Sequence, residues 1–274
     1  MRIMDYRWLP WILLLLPLLF QGCLSNAQRI DRQAQHAGLT RSIVTGTVYR
    51  HVLYVSDGPS PELVVYLDGD GLPWGRDGQH AASDPTTRNP LALKLLIASD
   101  APGVYLSRPC YQELRDAGCT PQVWTSGRYA SDVVGSMAAA IRRIAAQRRS
   151  PPIVLVGYSG GGVLALLIAE QLDHVAKVIT LGANLDTDAW TQHHGYLPLT
   201  DSLSPASSTH LHAWPELHLQ GGRDVVVPAS TTDAYFLRYP DAQRRTFADY
   251  DHVCCWVRTW PTLFESLRKD GEAE

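Results

Sequence analysis

The stretch Ile153-Val154-Leu155-Val156-Gly157-Tyr158-Ser159-Gly160-Gly161-Gly162 constrains this chain more than any other. A short, wholly apolar run reads as a strand buried on both faces. The Ala- and Leu-rich stretch 161–172 behind it is apolar almost all round, which reads as a buried helix. Between them sits Gly-x-Ser-x-Gly. A serine on so tight a strand-to-helix turn needs neighbours nearly free of side chain, so that strand and helix can pack closely. The N–H that follows it then lies at the positive end of the helix, where a developing oxyanion is stabilised. A phosphate-binding loop is a poor rival, because no Lys-Ser/Thr follows the glycines and no Gly-x-Gly-x-x-Gly occurs.

The rest of the chain fits around that unit. Its 274 residues suit one medium-sized domain. Apolar runs at 47–55, 62–67, 103–106, 153–156, 177–181, 216–219 and 245–250 predict strands. Between them, 131–147 (with Ser131 as candidate cap), 161–172, 231–238 and 256–268 predict helices. Alternation of this kind predicts an α/β chain with a mostly parallel central sheet and helices on both faces. A formal net charge of −3 without any block of like charge gives no nucleic-acid footprint.

A serine at neutral pH needs a base, and the base needs orienting. Residues 216–228 read strand, glycine turn, Asp224, then an apolar exit; the strand at 245–250 ends in Asp251-His252. Acid and base thus each follow the carboxyl end of a strand, where ligand sites of open α/β sheets gather. Asp249 and Asp251 compete with Asp224, but Asp251 adjoins the histidine and points away from it. His193, His194, His210, His212 and His218 form no credible metal set, since no carboxylate or thiolate completes one.

With the elbow at Ser159, the Gly221-Gly222-Arg223-Asp224-Val225-Val226-Val227-Pro228 turn and the late His252 in that order, residues 45–268 resemble the α/β-hydrolase family, its serine esterases and lipases above all. The resemblance implies Ser159 as nucleophile, Asp224 as orienting acid and His252 as general base. It implies hydrolysis of a carboxylic ester or thioester, with acyl transfer, peptidase action or a non-catalytic binding role as alternatives. No cofactor and no metal are implied. Where many members carry His-Gly, this chain has Asp68-Gly69; Gly160 and Asp70 are the candidate oxyanion donors, and Asp68 with Asp70 would make only a thin cation site. Trp74, Tyr158 and Trp190 are candidate substrate contacts. The segment 182–214, aromatic-rich and long for a loop, is expected as a small cap after the fold's sixth strand.

The N-terminus adds an expectation of location. Arg2 and Arg7 precede an apolar core at 9–20 that spans roughly 18 Å as a helix, short of a hydrocarbon core of about 30 Å. Ending Phe20-Gln21-Gly22-Cys23, residues 1–22 resemble a bacterial lipoprotein signal peptide, which implies lipidation of Cys23. Leu24 then favours the outer membrane, facing the periplasm. Residues 23–42 are expected as a tether and 43–270 as the domain, a monomer whose partners are a small acyl ester and the membrane. Cysteines fit an oxidising compartment: Cys110 and Cys119 are placed to bridge, while the adjacent Cys254 and Cys255 suit a vicinal disulfide, one bridged and one free thiol, or two apolar fillers.

Overall fold

The computed structural model describes residues 24–210 and 212–269, so the expected signal peptide and Cys23 lie outside the described residues. Eight strands form one sheet: β1 Thr40–Thr45, β2 Arg50–Ser56, β3 Leu63–Leu67, β4 Gly103–Leu106, β5 Ile153–Tyr158, β6 Val175–Leu181, β7 Glu216–Gly221 and β8 Gln243–Phe247. Their order across the sheet is β1-β2-β4-β3-β5-β6-β7-β8. β1 and β2 are antiparallel, as are β2 and β4, and every other pairing is parallel. Among the described residues seven α-helices accompany it: α1 Asn26–His36, α2 Leu91–Ser99, α3 Ser131–Gln147, α4 Gly160–Ala169, α5 Thr187–His194, α6 Asp233–Arg238 and α7 Trp256–Lys269.

Strand alternation divides the core. Leu63, Val65 and Leu67 of β3 and Ile153 and Leu155 of β5 face one apolar cluster, which α3 and α4 complete. Val64 and Tyr66 of β3 and Val154, Val156 and Tyr158 of β5 face the other, covered by α1, α2 and α7. Because successive side chains leave opposite faces of a strand, strands covered on both sides must be apolar at every position, and β3, β4 and β5 are. On α7, Trp256, Trp260, Leu263, Phe264 and Leu267 recur at helical spacing and are buried, with the Trp260 ring edge-on to Tyr66.

Two expectations fail. Of the expected tether 23–42, the described residues 24–42 hold α1 and the start of β1. Ser25 caps α1 by accepting from the Gln28 N–H while the Gln28 side chain accepts from the Ser25 N–H, and only the narrow face of Ala27, Ile30 and Ala34 is buried, which is why the stretch reads as polar. Nor does Ser131 cap α3; the cap position is Ala130, which offers no side-chain bond.

Candidate active site

Ser159 sits between β5 and α4 with φ +53°, ψ −125°, a conformation that a side-chain-bearing residue rarely adopts. The surroundings enforce it. The Ser159 N–H donates to the Leu181 carbonyl at 2.8 Å, and the Gly162 N–H donates to the Ser159 carbonyl at 2.8 Å. At the glycines beyond, a Cβ would collide with the Asp70 carboxylate (Gly160), the Leu67 carbonyl (Gly161) and the Ala183 side chain (Gly162). The expected close packing of strand and helix is seen at Gly157, where a Cβ would meet the Gly161 and Gly162 backbone, whereas Gly160 makes room for the Asp70 carboxylate and the Tyr129 hydroxyl.

Asp224 follows β7 and His252 follows β8. The Ser159 Oγ lies 3.1 Å from His252 Nε2, and His252 Nδ1 lies 2.8 Å from Asp224 Oδ2. Asp224 is fixed in turn: its Oδ1 accepts the N–H groups of Val226 (2.9 Å) and Val227 (2.8 Å), and its side chain is 1% exposed. Asp251 instead accepts the N–H groups of Val253 (2.8 Å) and Cys254 (2.6 Å), which folds the turn that carries His252. The three residues that the sequence brings forward in order Ser, Asp, His are thus joined in space by two hydrogen bonds.

The Asp68–Gly71 loop closes the other side. Asp68 Oδ1 accepts the Gly69 N–H at 3.1 Å and the Ala92 N–H, at the start of α2, at 3.4 Å. Burial pushes its carboxyl up to about 7 against those hydrogen bonds. Asp70 bonds to Arg108 Nη1 and Arg128 Nη1, each at 2.8 Å, and accepts the Tyr129 hydroxyl; the Tyr111 hydroxyl donates to its carbonyl at 2.7 Å. Burial opposes the Asp70 charge, but the two guanidinium groups outweigh it and hold the carboxyl below its ordinary value. Arg108, Arg128 and Tyr129 were not foreseen. Their signal, two arginines near apolar segments, is weak when the partner is 38 and 58 residues away in sequence.

A cavity of about 1260 Å³ opens above Ser159 and His252. Trp74, Tyr158 and Trp190, the expected substrate contacts, all line it, and the Tyr158 ring lies 5.0 Å from that of His252. Residues 195–200, from the segment 182–214 that follows β6, form part of its wall. Cys110 and Cys119 are joined by a disulfide, as are Cys254 and Cys255. His210, His212 and His218 gather at the far end of the sheet around Glu170 and Glu216, away from Ser159.

No protein-family model and no curated protein matches the chain. Solved structures do. An esterase from Pyrococcus furiosus superposes with a TM-score of 0.62 at 12% identity, covering 86% of this chain and 92% of its own. A serine hydrolase from Xanthomonas campestris described as lacking a lid gives 0.55 at 15%, covering 84% and 94%. Mouse alpha/beta hydrolase domain-containing protein 10 gives 0.58 at 16%, covering 84% and 99%. At such identities the likeness speaks for the fold, and the fold is that of the α/β hydrolases.

Proposed function

We propose that the chain is a serine hydrolase that cleaves a carboxylic ester or thioester through an acyl-Ser159 intermediate, held at the cell envelope by a lipid on Cys23. The observation that carries the reading is the chain of bonds Ser159 Oγ to His252 Nε2 and His252 Nδ1 to Asp224, under a cavity large enough for an acyl ester. His252 takes the hydroxyl proton as Oγ adds to the substrate carbonyl carbon, and Asp224 stabilises the imidazolium and fixes its tautomer. The tetrahedral oxyanion takes the N–H groups of Gly160 and Asp70; as the first residue of α4, Gly160 has no acceptor for its N–H within the helix. Collapse breaks the bond to the leaving alcohol or thiol, which receives the proton from His252. Water then adds by the same route, with His252 again as base, and releases the acid.

Substituting Ser159 by Ala is expected to abolish fluorophosphonate labelling and to cut ester turnover on the order of 10⁶-fold in a protein that still folds. Near-native turnover in that variant would end the reading. The location is tested separately: Cys23→Ala should move the protein from the membrane fraction to the soluble one, and unchanged partition would count against the anchor.

A further inference from the structure

Exposed apolar side chains ring the cavity mouth. Trp74, Tyr196, Leu197, Val226 and Val253 are exposed and line the cavity, and Val225, next to Val226, is 78% exposed. Monomeric proteins seldom leave apolar groups together in this way without a use for them. The rim is also held in place. Trp190 Nε1 donates to the Val226 carbonyl at 2.7 Å, and His194 Nε2 lies 2.9 Å from the same oxygen, so the turn bearing both valines is fastened to α5.

A second observation concerns where the folded chain starts. α1 begins at Asn26, whose Nδ2 donates to the Thr86 carbonyl at 3.0 Å; the neighbouring Thr87 and Asn89 line the same cavity. Two residues, Leu24 and Ser25, separate Cys23 from Asn26, a reach of at most about 11 Å. A lipid on Cys23 would therefore be tied by a very short length of chain to Asn26, which meets the segment that lines the cavity.

We propose that the rim is a membrane-docking surface: the bilayer that takes the lipid of Cys23 also takes Trp74, Tyr196, Leu197, Val225, Val226 and Val253, and the cavity opens into it to receive a lipid-borne acyl ester. A tryptophan and a tyrosine among aliphatic groups suit the boundary between headgroups and hydrocarbon. A protein partner seated on the same rim would shut the mouth, whereas a lipid surface leaves it open and supplies substrate laterally. The substrate half of the proposal rests on the hydrolase reading of Ser159; the docking half rests on the lipid at Cys23, whose own test is the partition of Cys23→Ala.

The test reconstitutes the lipidated protein that begins at Cys23 into phosphatidylcholine vesicles with and without brominated acyl chains, which quench tryptophan emission on contact. The quenched share of emission is expected to fall in Trp74→Phe, and to fall also in Val225→Glu, where a carboxylate on the rim keeps Trp74 out of the bilayer. Ser159→Ala should quench like the wild type, so loss of the hydrolase reading leaves the docking result standing. Equal quenching in the wild type, Trp74→Phe and Val225→Glu overturns docking. For the substrate half, Val225→Glu should lower hydrolysis of an ester carried in the vesicles several-fold and leave that of a dissolved short-chain ester unchanged; equal rates on the vesicle ester overturn it.

Discussion

Helix α4 has charged residues buried against both of its ends, and the two ends are furnished differently. At the amino end, Ser159 occupies the cap position and the Asp70 carboxylate lies against Gly160, with Arg108 and Arg128 behind it: two cations to one anion. At the carboxyl end Glu170 is the cap, and it meets His212, which also bonds Glu216; Glu216 in turn bonds His218 and the Tyr235 hydroxyl. Burial works against the His212 charge, yet Glu170 and Glu216 raise its pKa to about 9, so a cation sits at the negative end of the helix. The carboxyl end is thus closed by two carboxylates and one imidazolium bonded to one another. At the amino end two guanidinium groups stand behind the single carboxylate that faces Gly160, next to the N–H groups to which the proposed reaction assigns its transient anion. One end holds the helix; the other equips it.

That contrast can be broken by mutation. The largest effect is expected for Asp70→Asn, which leaves two buried guanidinium groups without their carboxylate: a loss of about 3–5 kcal/mol in denaturant unfolding, together with slower fluorophosphonate labelling of the molecules that remain folded. Unchanged labelling would separate this cluster from the site. A smaller effect is expected for Glu216→Gln, about 1–3 kcal/mol, as His212 and His218 keep weaker partners. Here labelling per folded molecule should stay at the wild-type rate, and a fall would make the far end part of the machinery.

The smallest effect is one of pH. His212 has a folded pKa of about 9 against an ordinary 6.5, so its contribution is complete below pH 6.5 and is lost as pH rises through 9. Glu216 has a folded pKa of about 2 against an ordinary 4.5, the result of His212, His218 and Tyr235 prevailing over burial; its contribution is present above pH 4.5 and lost as pH falls through 2. Stability from the far end is therefore greatest between about pH 4.5 and 6.5. His212→Asn should flatten the decline between pH 6.5 and 9 in the unfolding midpoint, and an unaltered slope would assign that decline to other groups.

Much of this was legible because one periodicity ruled each segment. The helix at 131–147 and the strand at 103–106 have the bounds that the sequence predicts, since α3 buries one regular face and β4 buries every residue. The Ser159, Asp224 and His252 positions were legible from strand ends followed by tight turns. β1 was not, because an edge strand with its side chains largely exposed, Thr-Arg-Ser-Ile-Val-Thr, carries no burial pattern to read. α2 escaped for the opposite reason: Leu-Ala-Leu-Lys-Leu-Leu-Ile-Ala-Ser is apolar on nearly every side, and unlike the equally apolar α4 it follows no strand and glycine turn that would mark its start. The Asp70 cluster lay beyond reach, because ion pairs between distant segments follow from the sheet order and from nothing local.

The glycines behind Ser159 carry a consequence for how such a chain can change over generations. Three successive positions admit no side chain, so the turn that presents the hydroxyl has almost no room to drift. The cavity wall is drawn from separate excursions of the chain, around Trp74, Thr125, residues 195–200 and Val226, each able to vary without touching the turn. A fixed pivot beneath walls built from separate segments would let a lineage exchange one substrate for another while its backbone stays superposable.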